Sequence, residues 1–143
     1  MGVHHQPPAE IPMLHRRPFL LALAAVGALL AFQPAGAAER APFDAQAFAA
    51  AQAAGKPVLV EVTAPWCPTC KAQQPILAEL EAAPEHAGLA VFEVDFDSQK
   101  DALRALGAQQ QSTLIVFKGS EELGRSVGDT NRDSIAALLA KTL

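Results

Sequence analysis

"TAPWCPTCKAQQP" (Thr63–Pro75) holds both cysteines of the 143-residue chain, Cys67 and Cys70. The residues before them, "VLVEVTA" (58–64), are β-branched and mostly apolar with one carboxylate, Glu61. That pattern predicts a buried strand. The residues after them, "CPTCKAQQPILAELEAA", predict a helix whose apolar face continues through Ile76, Leu77 and Leu80. Pro68 falls in the first turn, where its missing N–H costs nothing. Pro75 falls inside, where a kink is expected. The cysteines therefore open a helix that follows directly on a strand.

Three chemistries can use such a pair. A structural staple is a poor use, because a bridge over two intervening residues removes little unfolded-state entropy. A zinc site wants four ligands. After the first 37 residues the chain offers only Cys67, Cys70 and one histidine, His86, in "APEHAG", which reads as a surface loop. Only a dimer sharing two pairs could complete that site. A redox device needs a stabilised thiolate and a second thiol to resolve the mixed disulfide. At a helix start, free N–H groups and the positive end of the dipole favour Cys67 as thiolate. Cys70, one turn further in, is expected to be more buried and to resolve. C-x-x-C after a strand and at a helix start is a specific redox signal.

Outward from this motif, "APFDAQAFAAAQAAGKP" reads as a helix capped by Asp44 and stopped by Gly55 and Pro57. "LAVFEVDFD" (89–97) is a second buried strand. Ser98 or Asp97 caps a short helix through Leu106, ended by Gly107. "TLIVFKG" and "EELGRSVG" form a hairpin around Gly119, and "DTNRDSIAALLAKTL" closes the chain as an amphipathic helix. The order α-β-α-β-α-β-β-α implies an α/β fold, with a parallel pair from right-handed crossovers and an antiparallel hairpin.

The first forty residues differ. Arg16 and Arg17 precede a 14-residue apolar run, Phe19–Phe32, and then "PAGAA". This is the pattern of an export signal, with Ala35 and Ala37 placing cleavage after residue 37. The run is short of the roughly 20 residues of a membrane span, so an uncleaved anchor is the lesser alternative. "RRPFL" also looks like a twin-arginine signal, the other route being Sec. Residues 38–143 then form one domain with nine basic and fourteen acidic residues, a net of −5. No basic stripe is present, which argues against nucleic acid. Export to the periplasm, an oxidising compartment, lets disulfides persist.

"KPVLVEVTAPWCPTCKAQQPIL" closely resembles the active-site segment of the thioredoxin superfamily, and the similarity extends over roughly residues 43–142. It includes the W-C-x-x-C-K run of Trp66–Lys71, Pro75 five residues past the second cysteine, and "STLIVFKGSEELGRSVGDTN" as hairpin and last helix. The resemblance implies a thioredoxin fold with a central mixed four-stranded sheet flanked by helices. It also implies a thiol–disulfide oxidoreductase needing no cofactor. Glu61, six residues before Cys67, matches the family's buried carboxylate, which takes the proton of the resolving thiol. Burial in an apolar strand independently raises a carboxyl pKa toward that use.

Two positions depart from the family pattern, and several more are expected to meet the substrate. Glu93 in "FEVDFD" stands where cytoplasmic thioredoxins usually have lysine; it either shares a site with Glu61 or faces solvent. Ser112 stands in place of the family's cis-proline before "TL". A non-proline cis bond costs about 2.5–4 kcal/mol, so a trans peptide is expected, with the hydroxyl free to meet the thiolate or substrate. Trp66, Pro68, Thr69, Gln111 and Ser112 are the expected substrate-contacting residues, and Lys56 and Lys71 are expected to be solvated. The protein is read as a monomeric reductant of protein disulfides, recharged by a membrane redox partner. The competing reading is a binding module holding a metal or iron–sulfur cluster across a dimer.

Overall fold

The strand expected at 58–64 runs over Pro57–Thr63 and lies at the centre of a five-stranded sheet. The computed structural model describes residues 1–3 and 38–143; the expected export signal, with Arg16, Arg17 and the Ala35–Ala37 cleavage pattern, lies outside the described residues. In chain order the elements are β1 (Glu39–Pro42), α1 (Ala45–Ala53), β2 (Pro57–Thr63), α2 (Pro68–Glu81), a 3-10 turn (Pro84–His86), β3 (Ala90–Asp95), α3 (Lys100–Leu106), β4 (Thr113–Lys118), β5 (Glu121–Val127) and α4 (Arg132–Ala140). The sheet order is β1-β3-β2-β4-β5. β1 and β2 both run parallel to β3, whereas β4 runs antiparallel to β2 and β5.

The expected four strands are thus five. "ERAP" has neither alternation nor β-branching and does not announce a strand. The open edge of β3 makes it one: Glu39 N donates to Leu89 O at 2.9 Å and Phe43 N to Glu93 O at 2.8 Å, bracketing the pairing of Arg40 with Val91.

Alternation along β2 divides the interior into two layers. Val58, Val60 and Val62 pack with Phe92, Leu103, Leu106 and Phe117 under α1 and α3, joined by a cluster of Phe43, Phe48 and Phe92 rings. Leu59 faces the other way, with Leu77 and Leu80 of α2 and Ile135, Leu138 and Leu139 of α4. Glu61 shares the parity of Leu59 and so lies on the α2–α4 face of the sheet.

Local signals account for most boundaries. The Asp44 carboxylate accepts from Ala47 N at 2.8 Å and caps α1 as expected. Gly107 ends α3 at φ 62°, a left-handed conformation that glycine adopts without strain. The start of α3 departs from expectation. Gln99 is the capping position, while Asp95 takes the backbone N–H of Asp97 and Ser98 and the Ser98 hydroxyl. A carboxylate at a strand end has closed the turn before Ser98 could cap the helix. α2 runs through Pro75, whose ring leaves Lys71 O without its usual donor.

Candidate active site

Cys67 is the N-cap of α2, with Pro68 at the first helical position. Its backbone is extended (φ −82°, ψ 109°), which turns its side chain back over the helix start. The N–H of Cys70 donates to Cys67 Sγ at 3.1 Å. Cys67 and Cys70 are joined as a disulfide with Cα atoms 5.3 Å apart. Both residues are 1% exposed, so the expected difference in burial between them is not observed. The reason is the cover each receives: Ala64 and Phe96 pack on the pair from below, and Ser112 closes it from β4's leading loop.

Ser112 Oγ lies 3.1 Å from Cys67 Sγ and 3.1 Å from Cys70 Sγ. Disulfide sulfurs carry no hydrogen, so the hydroxyl is the donor to one or the other. Its backbone is trans, as expected, and has φ 58°; among the described residues it is the one non-glycine residue with positive φ. That conformation costs an L-residue about 1–2 kcal/mol. Three hydrogen bonds hold it there: Ser112 N to Val62 O (2.8 Å), Gly128 N to Ser112 O (2.9 Å) and Gln73 Nε2 to Ser112 O (3.3 Å). Gln73, fully buried on α2, also donates to Asp129 O at 2.8 Å and so ties the loop after β5 to the same point. No feature of the sequence read alone singled out Gln73; its place on the α2 face, three residues past Cys70, was the available clue.

The rim is formed by Trp66, 55% exposed, with its ring edge-on to Phe96 and its indole N–H donating to Asp97 Oδ2 at 2.8 Å. Pro68 is exposed, Thr69 and Gln111 are half-buried, and Lys56 and Lys71 are exposed as expected. His86 is not a surface residue. It ends the 3-10 turn, its carbonyl accepts from Leu89 N at 3.0 Å, and this tight return into β3 carries the ring inward to 5% exposure.

Beneath the dithiol's helix lies a charged cluster. Glu61 and Glu93 are register partners on β2 and β3 and point to the same face. Both meet one guanidinium: Arg40 Nη1 is 2.5 Å from Glu61 Oε2 and 3.0 Å from Glu93 Oε2. The same Arg40 forks onto Glu81 at the end of α2, with Nη2–Oε1 2.6 Å and Nε–Oε2 3.3 Å. The Glu61 side chain is 1% exposed and that of Glu93 44%. Burial pushes the Glu61 carboxyl above its ordinary range, against the hydrogen bond and charge of Arg40, and the neighbouring Glu93 and Glu81 add to the rise. Burial opposes the charge of Arg40, but Glu81 and Glu61 together hold it more firmly protonated than usual. Sequence reading found the two glutamates and missed the arginine, because nothing marked "ERAP" as a strand beside β3.

The fold and this site define a class: a thioredoxin-fold protein with a dithiol–disulfide pair at a helix N-terminus. A family model described as Thioredoxin matches residues 40–141. The chain is 36% identical over 84 residues to a thioredoxin of Chlamydia trachomatis (59% of this chain, 80% of that one). It is 33% identical over 90 residues to an H-type thioredoxin of Brassica campestris (63% and 72%). The crystal structure of Trxlp from Edwardsiella tarda is similar at a TM-score of 0.69 and 44% identity, covering 71% of this chain and 98% of that one. The chain belongs to the thioredoxin family, and it is a thiol–disulfide oxidoreductase.

Proposed function

We propose that this protein works in the periplasm as a monomeric reductant of protein disulfides, with Cys67 as nucleophile, Cys70 as resolving thiol and Glu61 as the group that takes the Cys70 proton. The observation that carries the chemistry is the convergence of the Cys70 N–H and the Ser112 hydroxyl on Cys67 Sγ, each at 3.1 Å. In the reduced protein these donors stabilise a thiolate at the helix start. Cys67 S⁻ attacks a substrate disulfide, releasing one substrate sulfur as thiolate and forming a mixed disulfide. Cys70 then loses its proton, attacks Cys67 Sγ and releases the second substrate sulfur. The pair is oxidised by two electrons and the substrate disulfide is reduced.

Burial supports the reducing direction. Both sulfurs are shut from water, which penalises thiolate relative to disulfide, and no Lys, Arg or His hydrogen-bonds to either sulfur among the described residues. Trp66, Pro68, Thr69 and Gln111, neighbours in sequence of the cysteines or of Ser112, are assigned together with Ser112 to substrate contact. The Arg16–Arg17 and apolar 19–32 pattern supports export, and an exported reductant requires a membrane redox partner to reduce it again.

The test is the reduction potential of the pair, followed through Trp66 fluorescence in thiol–disulfide buffers. A value near about −270 mV is expected. A value near about −120 mV would make the protein a disulfide donor, and the absence of any reversible transition would remove the redox assignment altogether.

A further inference from the structure

The cation that meets the buried carboxylate comes from the edge strand β1, and it divides its donors with a pattern. Nε and Nη2 of Arg40 form a two-pronged grip on Glu81, which sits at the last turn of α2. That grip leaves Nη1 to bridge Glu61 Oε2 and Glu93 Oε2. The other oxygen of Glu61, Oε1, is buried and has no hydrogen-bond partner among the described residues. A buried acceptor left bare is costly unless it has a use. One oxygen clamped and one open is the arrangement of a carboxylate prepared to receive a proton at a defined atom.

We propose that Arg40 is a positioning residue for the proton relay: it fixes Glu61 through Oε2 and leaves Oε1 as the atom that receives the proton of Cys70. This rests on the assignment of Glu61 as the base. In the resolving step the Cys70 S–H proton passes to Glu61 Oε1 through water, since no hydrogen bond joins the two residues. The Cys70 sulfur then bonds to Cys67 Sγ as the mixed disulfide breaks. The substrate thiolate leaves and is protonated by solvent, and Glu61 returns its proton to water. The charged groups facing Glu61 are Arg40 from β1, Glu93 from β3 and Glu81 from α2. Two of the three are carboxylates, so Arg40 is the one facing group that works against burial to keep Glu61 ionised and able to accept. Lysine cannot replace it, because an ammonium has no fork with which to hold Glu81 and reach Glu61 at once.

The test is a carbon NMR titration of the Glu61 carboxyl in the disulfide form of the full chain, where no thiol titrates, with the pH profile of disulfide reduction as second readout. Arg40→Met is expected to move the Glu61 midpoint upward by about one pH unit or more, a tenfold change in its protonation constant, and to slow resolution at neutral pH. Arg40→Lys is expected to move it upward by a smaller amount. A folded Arg40→Met protein whose Glu61 midpoint stays within about 0.3 unit of the parent overturns the proposal. Should Arg40→Met not fold, Arg40→Lys decides in the same way: an unmoved midpoint means that the fork positions nothing. Glu61→Gln separates the two assignments. If it leaves the pH profile of disulfide reduction unchanged, Glu61 is not the base and the role of Arg40 falls with it, whatever the NMR midpoint does.

Discussion

Ser112 answers two demands with one residue, a left-handed backbone and a hydroxyl between two sulfurs. The two can be separated by substitution. Ser112→Gly keeps the backbone accessible without strain and deletes the hydroxyl, so the Cys67 thiolate loses one of its two donors. Its pKa is expected to rise, read from thiolate absorbance against pH. Ser112→Pro restores the residue that the family places here, yet proline fixes φ near −65° and has no N–H for Val62 O. The Val62 carbonyl left unpaired in the interior costs about 1–3 kcal/mol, so a lower midpoint is expected in urea unfolding of the disulfide form. An unchanged midpoint would mean that the loop rebuilds itself around proline. The identity of residue 112 was legible in the sequence; its positive φ and its contact with both sulfurs were not, because they depend on Val62, Gln73 and Gly128 from three other segments.

At the scale of elements, β2, α2 and β3 were readable because their apolar periodicity and helix-start chemistry are local. The short edge strand was not, since its cause is the unfilled side of β3 and not its own four residues. His86 and the Ser98 or Asp97 cap of α3 were misread for a related reason: a 3-10 turn and a carboxylate-closed turn each took over a segment that reads as ordinary loop or cap. Removing residues up to Pro42 deletes β1 and with it Arg40. The remaining sheet keeps β2 to β5, so a folded chain of lower denaturation midpoint is expected, with the bared edge of β3 driving self-association in size-exclusion chromatography. By contrast, Arg132 and Glu79 link α4 to α2 at 2.7 Å entirely on the surface. Arg132→Ala is expected to leave the urea midpoint essentially unchanged, and a clear drop would show that this pair organises the helix layer.

For the whole molecule, the buried carboxylate makes stability depend on pH. Glu61 has a raised pKa in the folded state, so between the unfolded and folded values the native protein binds the extra proton. Stability is then fully present below the unfolded value and is lost as pH rises through the folded one. The slope from this one group is at most about 1.4 kcal/mol per pH unit. Glu61→Gln is expected to flatten that slope and to be more stable than the parent above the window, as measured by urea unfolding of the disulfide form from acid to mildly alkaline pH. A parallel, undiminished slope in the variant would assign the effect to other groups.

The parallel pairing of β1 with β3 also divides the redox centre between distant parts of the chain. Arg40 and its register partner Val91 lie about fifty residues apart, a span matched or exceeded by the β2–β4 partners, and non-local pairings of this kind are slow to form. A chain that has closed β2 to β5 but not yet docked its leading strand already holds the dithiol on its helix, while Glu61 lacks its counter-charge. The redox centre is therefore complete only when β1 is docked on the edge of β3.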